Sequence, residues 1–248
     1  MFFSLFRKRE KRTLTRGPKL KVDLHSHLIP GIDDGSQSME ESLILLKELE
    51  ALGYEKVITT PHIMSDCYKN NASIILSGLE KLRKRAEVEG ISLQIDAAAE
   101  YYLDDVFFDE MQKEQIMSIG DKYVLFESSY VSKPLQMEEM IFAIGQAGYT
   151  PLLAHPERYR YIKAPQKEYR RFKELGVLFQ VNLNSFGGHY GQHAKAMANF
   201  LSEAGMIDFL GSDTHHLKHI KTLSGIFTMP EYHKIFEKNN IKNDTLIF

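Results

Sequence analysis

The chain has 248 residues, 43% of them hydrophobic and 26% charged, with a net charge of −2, a composition that can bury a full core within one large domain. No apolar run approaches the ~18 residues that crossing a bilayer requires, and the single cysteine, Cys67, excludes an internal disulfide and a Cys-cluster zinc site and suits a reducing cytoplasm. The charge is uneven: residues 1–22 carry eight Lys or Arg against one Glu, leaving 23 basic and 32 acidic residues in the remainder, and an acidic body argues against a nucleic-acid partner.

The first segment, Met1-Phe-Phe-Ser-Leu-Phe6 followed by Arg7-Lys-Arg-Glu-Lys-Arg12, has the order of a signal peptide reversed and too short an apolar stretch. Residues 1–19 therefore read as a basic, flexible extension ahead of one domain over 20–248. A sharper alternative is a weak contact of residues 1–16 with an anionic membrane surface, which would put a cytoplasmic protein at the inner face of the membrane.

From Lys19 onward short apolar, β-branched runs alternate with longer helical patterns. Strands are expected at Leu20–His25, Lys56–Thr60, Leu93–Ala99, Tyr123–Glu127, Pro151–His155, Val177–Leu183 and Asp208–Ser212. Helices are expected at Met39–Leu52, Ala72–Glu89, Met137–Ala147, Gln166–Leu175 and His193–Ala204, stopped by Gly53, Gly90, Gly148, Gly176 and Gly205. Strand, helix, Gly, strand is the pattern of parallel βαβ units, and seven strands in one series read as a closed or nearly closed α/β barrel, with an open doubly wound sheet as the alternative. The acidic, aromatic stretch Tyr101–Asp121 reads as a long loop with some helix near the active face.

The chemistry lies at the strand ends. Strand one ends in Asp23-Leu-His25-Ser-His27, and residues two apart on an extended segment point the same way, so both imidazoles can address one ion. The second strand runs into His62, the third into Glu100, the fourth into Glu127, the fifth into His155 and the seventh into Asp213-Thr-His215. The sixth ends in Asn182 and Asn184, which are poor metal ligands. In a parallel barrel these ends share the face where active sites are built. One such His is more often a buried hydrogen-bonding group, but six of seven ends bearing ionisable groups would be costly to bury without a cation.

With Asp34 from the loop after strand one, the candidate ligands are His25, His27, Asp34, His62, Glu100, Glu127, His155, Asp213 and His215. They are too many for one tetrahedral zinc and suit two or three ions sharing carboxylates. The N/O donor set is compatible with Mn, Fe, Zn or Co. Two ions at about 3.5–4 Å would polarise a phosphoryl oxygen and supply a nucleophile from water at neutral pH. In Pro156-Glu157-Arg158-Tyr159-Arg160, Arg158 is placed to bind phosphate as a fork, ahead of the plainer reading of a salt bridge with Glu157, and Arg160 is a weaker candidate. His189 and His193 resemble a helical zinc pair, but Gly191 between them and the missing Glu favour a surface or supporting role. His216, His219 and His233 have no supporting constellation. Neither a thiol-phosphatase Cys…Arg spacing nor a Gly-rich phosphate loop occurs.

Asp23-Leu-His-Ser-His27, Gly31-Ile-Asp-Asp-Gly35, Thr60-Pro-His62, Ala99-Glu-Tyr-Tyr-Leu-Asp104, Leu153-Ala-His-Pro-Glu-Arg-Tyr159 and Gly211-Ser-Asp-Thr-His215 resemble, in order, the motifs of the polymerase and histidinol phosphatase (PHP) superfamily. More closely they resemble its bacterial protein tyrosine phosphatases encoded with capsule and exopolysaccharide genes, the CpsB/CapC/YwqE-like group. The resemblance implies a distorted (β/α)7 TIM-like barrel and a centre of three divalent ions, usually manganese. One ion would be held by His25, His27, Glu100 and Asp213, a second by Glu100, Glu127 and His155, and a third by Asp34, His62 and His215. It implies as substrate the phosphotyrosines on the tail of a membrane-anchored tyrosine autokinase that controls polysaccharide export. The family commonly has a second phosphate-binding Arg a few residues after the last His; here the stretch is His216-Leu-Lys218-His-Ile-Lys221, leaving Lys218 or Lys221 as a point charge.

The competing readings are a small-molecule phosphomonoesterase such as a histidinol phosphatase, and, from another class, a non-catalytic metal-stabilised scaffold that binds the kinase. A proofreading exonuclease is disfavoured by the acidic core. Amidohydrolases usually place a carbamylated Lys on strand four, where this chain has Glu127.

Overall fold

The computed structural model describes residues 19–104, 107, 111, 116–120 and 122–248. The extension expected over 1–19 and the membrane contact expected of residues 1–16 lie almost entirely outside the described residues, as does much of the Tyr101–Asp121 stretch.

The elements alternate as the sequence pattern implies. In chain order they are β1 (Val22–Asp23), α1 (Met39–Leu52), β2 (Lys56–Thr59), β3 (His62–Ile63), α2 (Ala72–Val88), β4 (Gln94–Ala97), β5 (Glu100–Tyr102), β6 (Tyr123–Glu127), α3 (Met137–Gln146), β7 (Thr150–Ala154), α4 (Pro165–Glu174), β8 (Leu178–Asn182), α5 (Leu183–Phe186), α6 (Gly191–Glu203), β9 (Phe209–Gly211), α7 (Leu217–Ile226) and α8 (Pro230–Lys238). Short 3-10 turns occupy Pro156–Arg158 and Asn243–Leu246. Local chemistry sets the helix ends. Ser38 accepts from Glu41 N at 3.2 Å and Asn71 from Ile74 N at 3.0 Å, capping α1 and α2. The five expected glycine stops all have positive φ, from 66° at Gly205 to 106° at Gly53.

All strand pairs are parallel. One sheet has the order β1-β2-β4 and the other β3-β5-β6-β7-β8-β9. β3 follows β2 after two residues, one of them Pro61, which has no N–H to give a ladder. β5 likewise follows β4 after Ala98 and Ala99, and Glu100 N donates to Pro61 O at 3.1 Å across the break. Seven strand positions thus follow one another around a distorted (β/α)7 barrel of the expected α/β class. Val22, Leu24, Ile58, Leu125, Leu152 and Phe209, contributed by β1, β2, β6, β7 and β9 and the residue after β1, form one buried inner cluster closed below by Leu246. A larger cluster packs the outer faces of the strands against the helices.

Between β9 and β1 a single parallel bridge, Ser26 to Thr214, takes the place of a ladder. Side chains complete the seam. Ser212 donates through its N–H (2.9 Å) and its hydroxyl to the buried carboxylate of Asp23. At the opposite end the fully buried Asn243 donates to Val22 O (2.9 Å) and Leu210 O (2.7 Å) and accepts from Leu210 N (3.0 Å). Replacing Asn243 with Leu orphans three buried backbone groups, each worth roughly 1–3 kcal/mol when left unpaired. An Asn243→Leu protein is therefore expected to melt several degrees lower, and an unchanged thermal midpoint would show that the seam holds without it.

Candidate metal centre

The ends of the strands converge on one pocket of about 360 Å³. At the β1–β9 seam Asp213 N donates to His25 O and His27 N donates to Thr214 O, both at 2.9 Å, which sets both imidazoles beside Asp213 with their Nε2 atoms 3.3 Å apart. Glu100 opens β5 at the centre. Its Oε2 lies 3.1 Å from His25 Nε2, 3.5 Å from His27 Nε2 and 3.2 Å from His62 Nδ1, and its Oε1 lies 2.9 Å from His155 Nε2. Asp213 Oδ1 lies 3.5 and 3.6 Å from the first two Nε2 atoms and 3.4 Å from His215 Nδ1. Glu127, the last residue of β6, lies 3.2 Å from His62 Nδ1 through Oε1 and 3.7 Å from His155 Nε2 through Oε2. Asp34 Oδ1 is 3.5 Å from both His62 Nε2 and His215 Nε2.

All nine expected ligands fall into groups whose ligating atoms lie within 4.8 Å of one another: His27-Asp34-His62-His215, His25-Glu100-His155, His25-His27-Asp213 and His62-Glu100-Glu127. His25, His27, His62 and Glu100 each join two groups.

The donor chemistry fits cations. His25 Nδ1 is 2.7 Å from Gln180 Oε1 and His27 Nδ1 is 2.8 Å from Asp33 Oδ2. Both partners are acceptors, so the ring protons belong on Nδ1. The two Nε2 atoms then face each other and two carboxylate oxygens, positions from which all four could ligate a divalent cation once the Nε2 protons are displaced. Backbone strain is concentrated at the same place. Among the described residues, the non-glycines with positive φ are His155 (33°) and Asp213 (51°), conformations that cost of order 1–3 kcal/mol and persist where surroundings impose them. Gly35 is also constrained, since a Cβ there would sit 2.4 Å from His27 Cβ.

Arg158 reaches the same cluster from the turn after β7. Its Nη1 donates to Asp213 Oδ2 at 3.0 Å, and its guanidinium lies between the rings of Tyr130 (4.5 Å) and Tyr190 (4.3 Å). Glu157 is not its partner: that carboxylate is buried and accepts from Asn182 N (3.1 Å) and Ser185 Oγ (2.6 Å). Arg160 and Lys218 are exposed and do not line the pocket; His216 and His219, set aside in the sequence, do line it. Gln180, Tyr130 and Tyr190, which carry no signal of their own in the sequence pattern, also belong to the site, as does Asp33. Asp33 was detectable in the Asp33-Asp34 pair, whose bend brings Asp33 to His27 Nδ1 and Asp34 to His62 and His215.

Charge crowding leaves its mark on proton affinity. Burial alone would depress His25, but the charges of Glu100 and Asp213 raise it to about 10. His215 rises to about 8, with burial again opposed by Asp213 and then by Asp34. Folded-state values above 7 mean that in metal-free protein both rings hold a second proton at pH 7, which a cation must displace. Titrating Mn2+ into metal-free protein at pH 7 is expected to release protons, read as a binding heat that scales with the ionisation enthalpy of the buffer, and affinity should fall as pH drops toward 6. A buffer-independent heat would contradict this.

The family described as capsular polysaccharide synthesis, CpsB/CapC, matches residues 21–223. The tyrosine-protein phosphatase YwqE of Bacillus subtilis (strain 168) is 30% identical over 198 residues, covering 79% of this chain and 78% of that protein. The tyrosine-protein phosphatase CpsB of Streptococcus pneumoniae is 28% identical over 202 residues, covering 79% and 83%. A crystal structure from work on B. subtilis YwqE and S. pneumoniae CpsB, described as metal-dependent tyrosine phosphatases, superposes with a TM-score of 0.77 at 28% identity over 87% of this chain and 91% of that one. Histidinol phosphate phosphatase from Lactococcus lactis shares the fold, with a TM-score of 0.53 at 13% identity over 84% and 92%. The chain belongs to the CpsB/CapC family of capsular polysaccharide synthesis.

Proposed function

We propose that this chain is a metal-dependent phosphoric monoester hydrolase that removes phosphate from phosphotyrosine in proteins and so regulates capsule or exopolysaccharide synthesis. The observation that carries the reading is the contact of Arg158 with Asp213: the carboxylate that offers Oδ1 to the imidazole cluster gives Oδ2 to a guanidinium facing the same pocket. Divalent ions bound there would polarise a phosphoryl oxygen and activate water for attack on phosphorus.

The residues divide the remaining work. Arg158, flattened between two aromatic rings, offers its unused N–H groups to the non-bridging phosphate oxygens and stabilises charge that develops on them. Tyr130, whose hydroxyl donates to Glu127 Oε2 at 3.4 Å, ties the aromatic wall to the ligand set. The tyrosinate leaving group has a conjugate acid of pKa ~10 and needs less protonation than an alkoxide.

The finer reading is three ions, manganese first with Fe, Zn or Co as alternatives. One would be held by His25, His27, Glu100 and Asp213, a second by Glu100, Glu127 and His155, and a third by Asp34, His62 and His215. The catalytic unit is taken as residues 20–248 and its substrate as the phosphotyrosine tail of a membrane-anchored tyrosine autokinase. That places the protein in the cytoplasm, with residues 1–16 as the segment to touch the inner membrane face. Among the described residues no helix is long and apolar enough to cross a membrane.

Two outcomes are expected. Mn-loaded protein should turn over a phosphotyrosine peptide at least tenfold more efficiently than a phosphoserine peptide or histidinol phosphate; preference for either of the latter would contradict the substrate assignment. Arg158→Lys keeps the charge but loses the fork and the ring stacking, worth roughly 1.5–3 kcal/mol. Its kcat/KM on the peptide should fall about 10–100-fold with metal content unchanged, and wild-type kinetics would remove Arg158 from the phosphate site.

A further inference from the structure

The sixth strand brings no metal ligand to the pocket, yet its polar end is wholly buried. Gln180 and Asn182 lie two residues apart on β8, so both face inward, and neither has measurable exposure. Their amides form a chain between two members of the cluster. Asn182 Nδ2 lies 2.7 Å from Asp213 Oδ2, Gln180 Nε2 lies 2.9 Å from Asn182 Oδ1, and His25 Nδ1 lies 2.7 Å from Gln180 Oε1.

The direction of this chain is fixed from both ends. An ionised carboxylate only accepts, so the Asn182 atom facing Asp213 is its amide nitrogen, which turns the Asn182 oxygen toward Gln180. From the other end, the backbone N–H of His155, which only donates, points at Gln180 Oε1 at 3.4 Å. From both ends Gln180 is held with its oxygen toward His25, which must then carry a ring proton on Nδ1.

We propose that Gln180 and Asn182 are positioning residues that jointly orient His25 and Asp213 for metal binding through this one-way amide chain. His25 then meets the cluster through Nε2, whose lone pair becomes available to an ion that displaces the proton held there. Asp213 has Oδ2 occupied by Asn182 and Arg158 and so presents Oδ1 alone. Two ligands from opposite ends of the chain are thereby set by a pair of neutral side chains, which add no charge to a site already crowded with carboxylates. Gly211 on β9 makes room for the contact: a Cβ there would lie 2.6 Å from Gln180 Nε2 and 2.8 Å from His25 Cβ. The proposal rests on the metal reading above and asks more of it, namely that ligand orientation depends on residues that touch no ion.

The test is Mn2+ binding to metal-free full-length protein, measured by competition with a chelating dye, for wild type, Gln180→Met, Gln180→Glu and Asn182→Asp. Met keeps the volume of Gln180 and cuts the chain. Glu keeps an acceptor for His25 Nδ1 but cannot donate to Asn182 Oδ1, so it separates the contact with His25 from the link between the two amides. Asp at 182 replaces the donor to Asp213 with a second carboxylate. The expected result is a 10–100-fold weaker affinity for one ion in Gln180→Met and Asn182→Asp, with Gln180→Glu within about threefold of wild type. Histidine 15N spectra of the Zn-loaded protein should show a protected His25 Nδ1–H in wild type and Gln180→Glu and its loss in Gln180→Met. A purely space-filling role would let Met match wild type and make the buried Glu the worse variant, and that order would overturn the proposal. Should Gln180→Met fail to fold, equal affinities in Gln180→Glu and Asn182→Asp would overturn it and a gap of tenfold or more would support it. A wild type that binds no Mn2+ would instead sink the metal reading, and the proposal with it.

Discussion

A carboxylate with no exposure sits at the centre of this protein, with four imidazoles within 3.5 Å of its two oxygens. Glu100 touches His25, His27 and His62 through one oxygen and His155 through the other, and around it Asp213, Glu127 and Asp34 repeat the pattern. Burying so many ionisable groups is unfavourable unless charge of the opposite sign is supplied. Protons can supply part of it, as the raised affinities of His25 and His215 show, but each proton occupies one lone pair. A divalent cation accepts several lone pairs at once, and the nine candidate side chains stand close enough together to offer them. The shape of the pocket, the strain near it and the reach of Arg158 all follow from keeping those groups together.

The fold supports this arrangement by giving up regularity where these side chains enter. β2 and β4 each break and resume two residues later, and the resumed segments begin with His62 and Glu100. His155 and Asp213 take up left-handed backbone, and the ring of strands meets at a seam held by one bridge and by the side chains of Asp23, Ser212 and Asn243. The regular helices and the larger apolar cluster surround these irregular segments and carry the burial that offsets their cost.

Much of this was legible from the sequence because it depends on short-range periodicity. Parallel strands put their C-terminal ends on one face, so His, Asp and Glu at those ends could be assigned together before any contact was known. The helices α1 to α4 and α6 announced themselves by apolar spacing and a terminal glycine. α7 and α8 did not, because they end at Phe227 and Asn239 without one. Other features stayed hidden for a different reason. Gln180 and Asn182 are neutral amides whose meaning lies in which atom faces which neighbour, and that is decided by Asp213 and His155, some 25 to 33 residues away. Tyr130 and Tyr190 wall the pocket from separate loops, and aromatic residues in loops carry no period. Lys218 drew attention by its charge, but the helix that begins at Leu217 directs His216 and His219 to the pocket instead.

The central claim is that distant residues form one shared cation site, and anomalous X-ray scattering from crystals grown with Mn2+ tests it most directly. The account predicts three anomalous peaks inside the pocket, each within about 2.3 Å of nitrogen or oxygen atoms drawn from His25, His27, Asp34, His62, Glu100, Glu127, His155, Asp213 and His215, with Glu100 touching two of them. A map with no peak among these side chains at saturating Mn2+, or with its peaks ligated elsewhere, would contradict it.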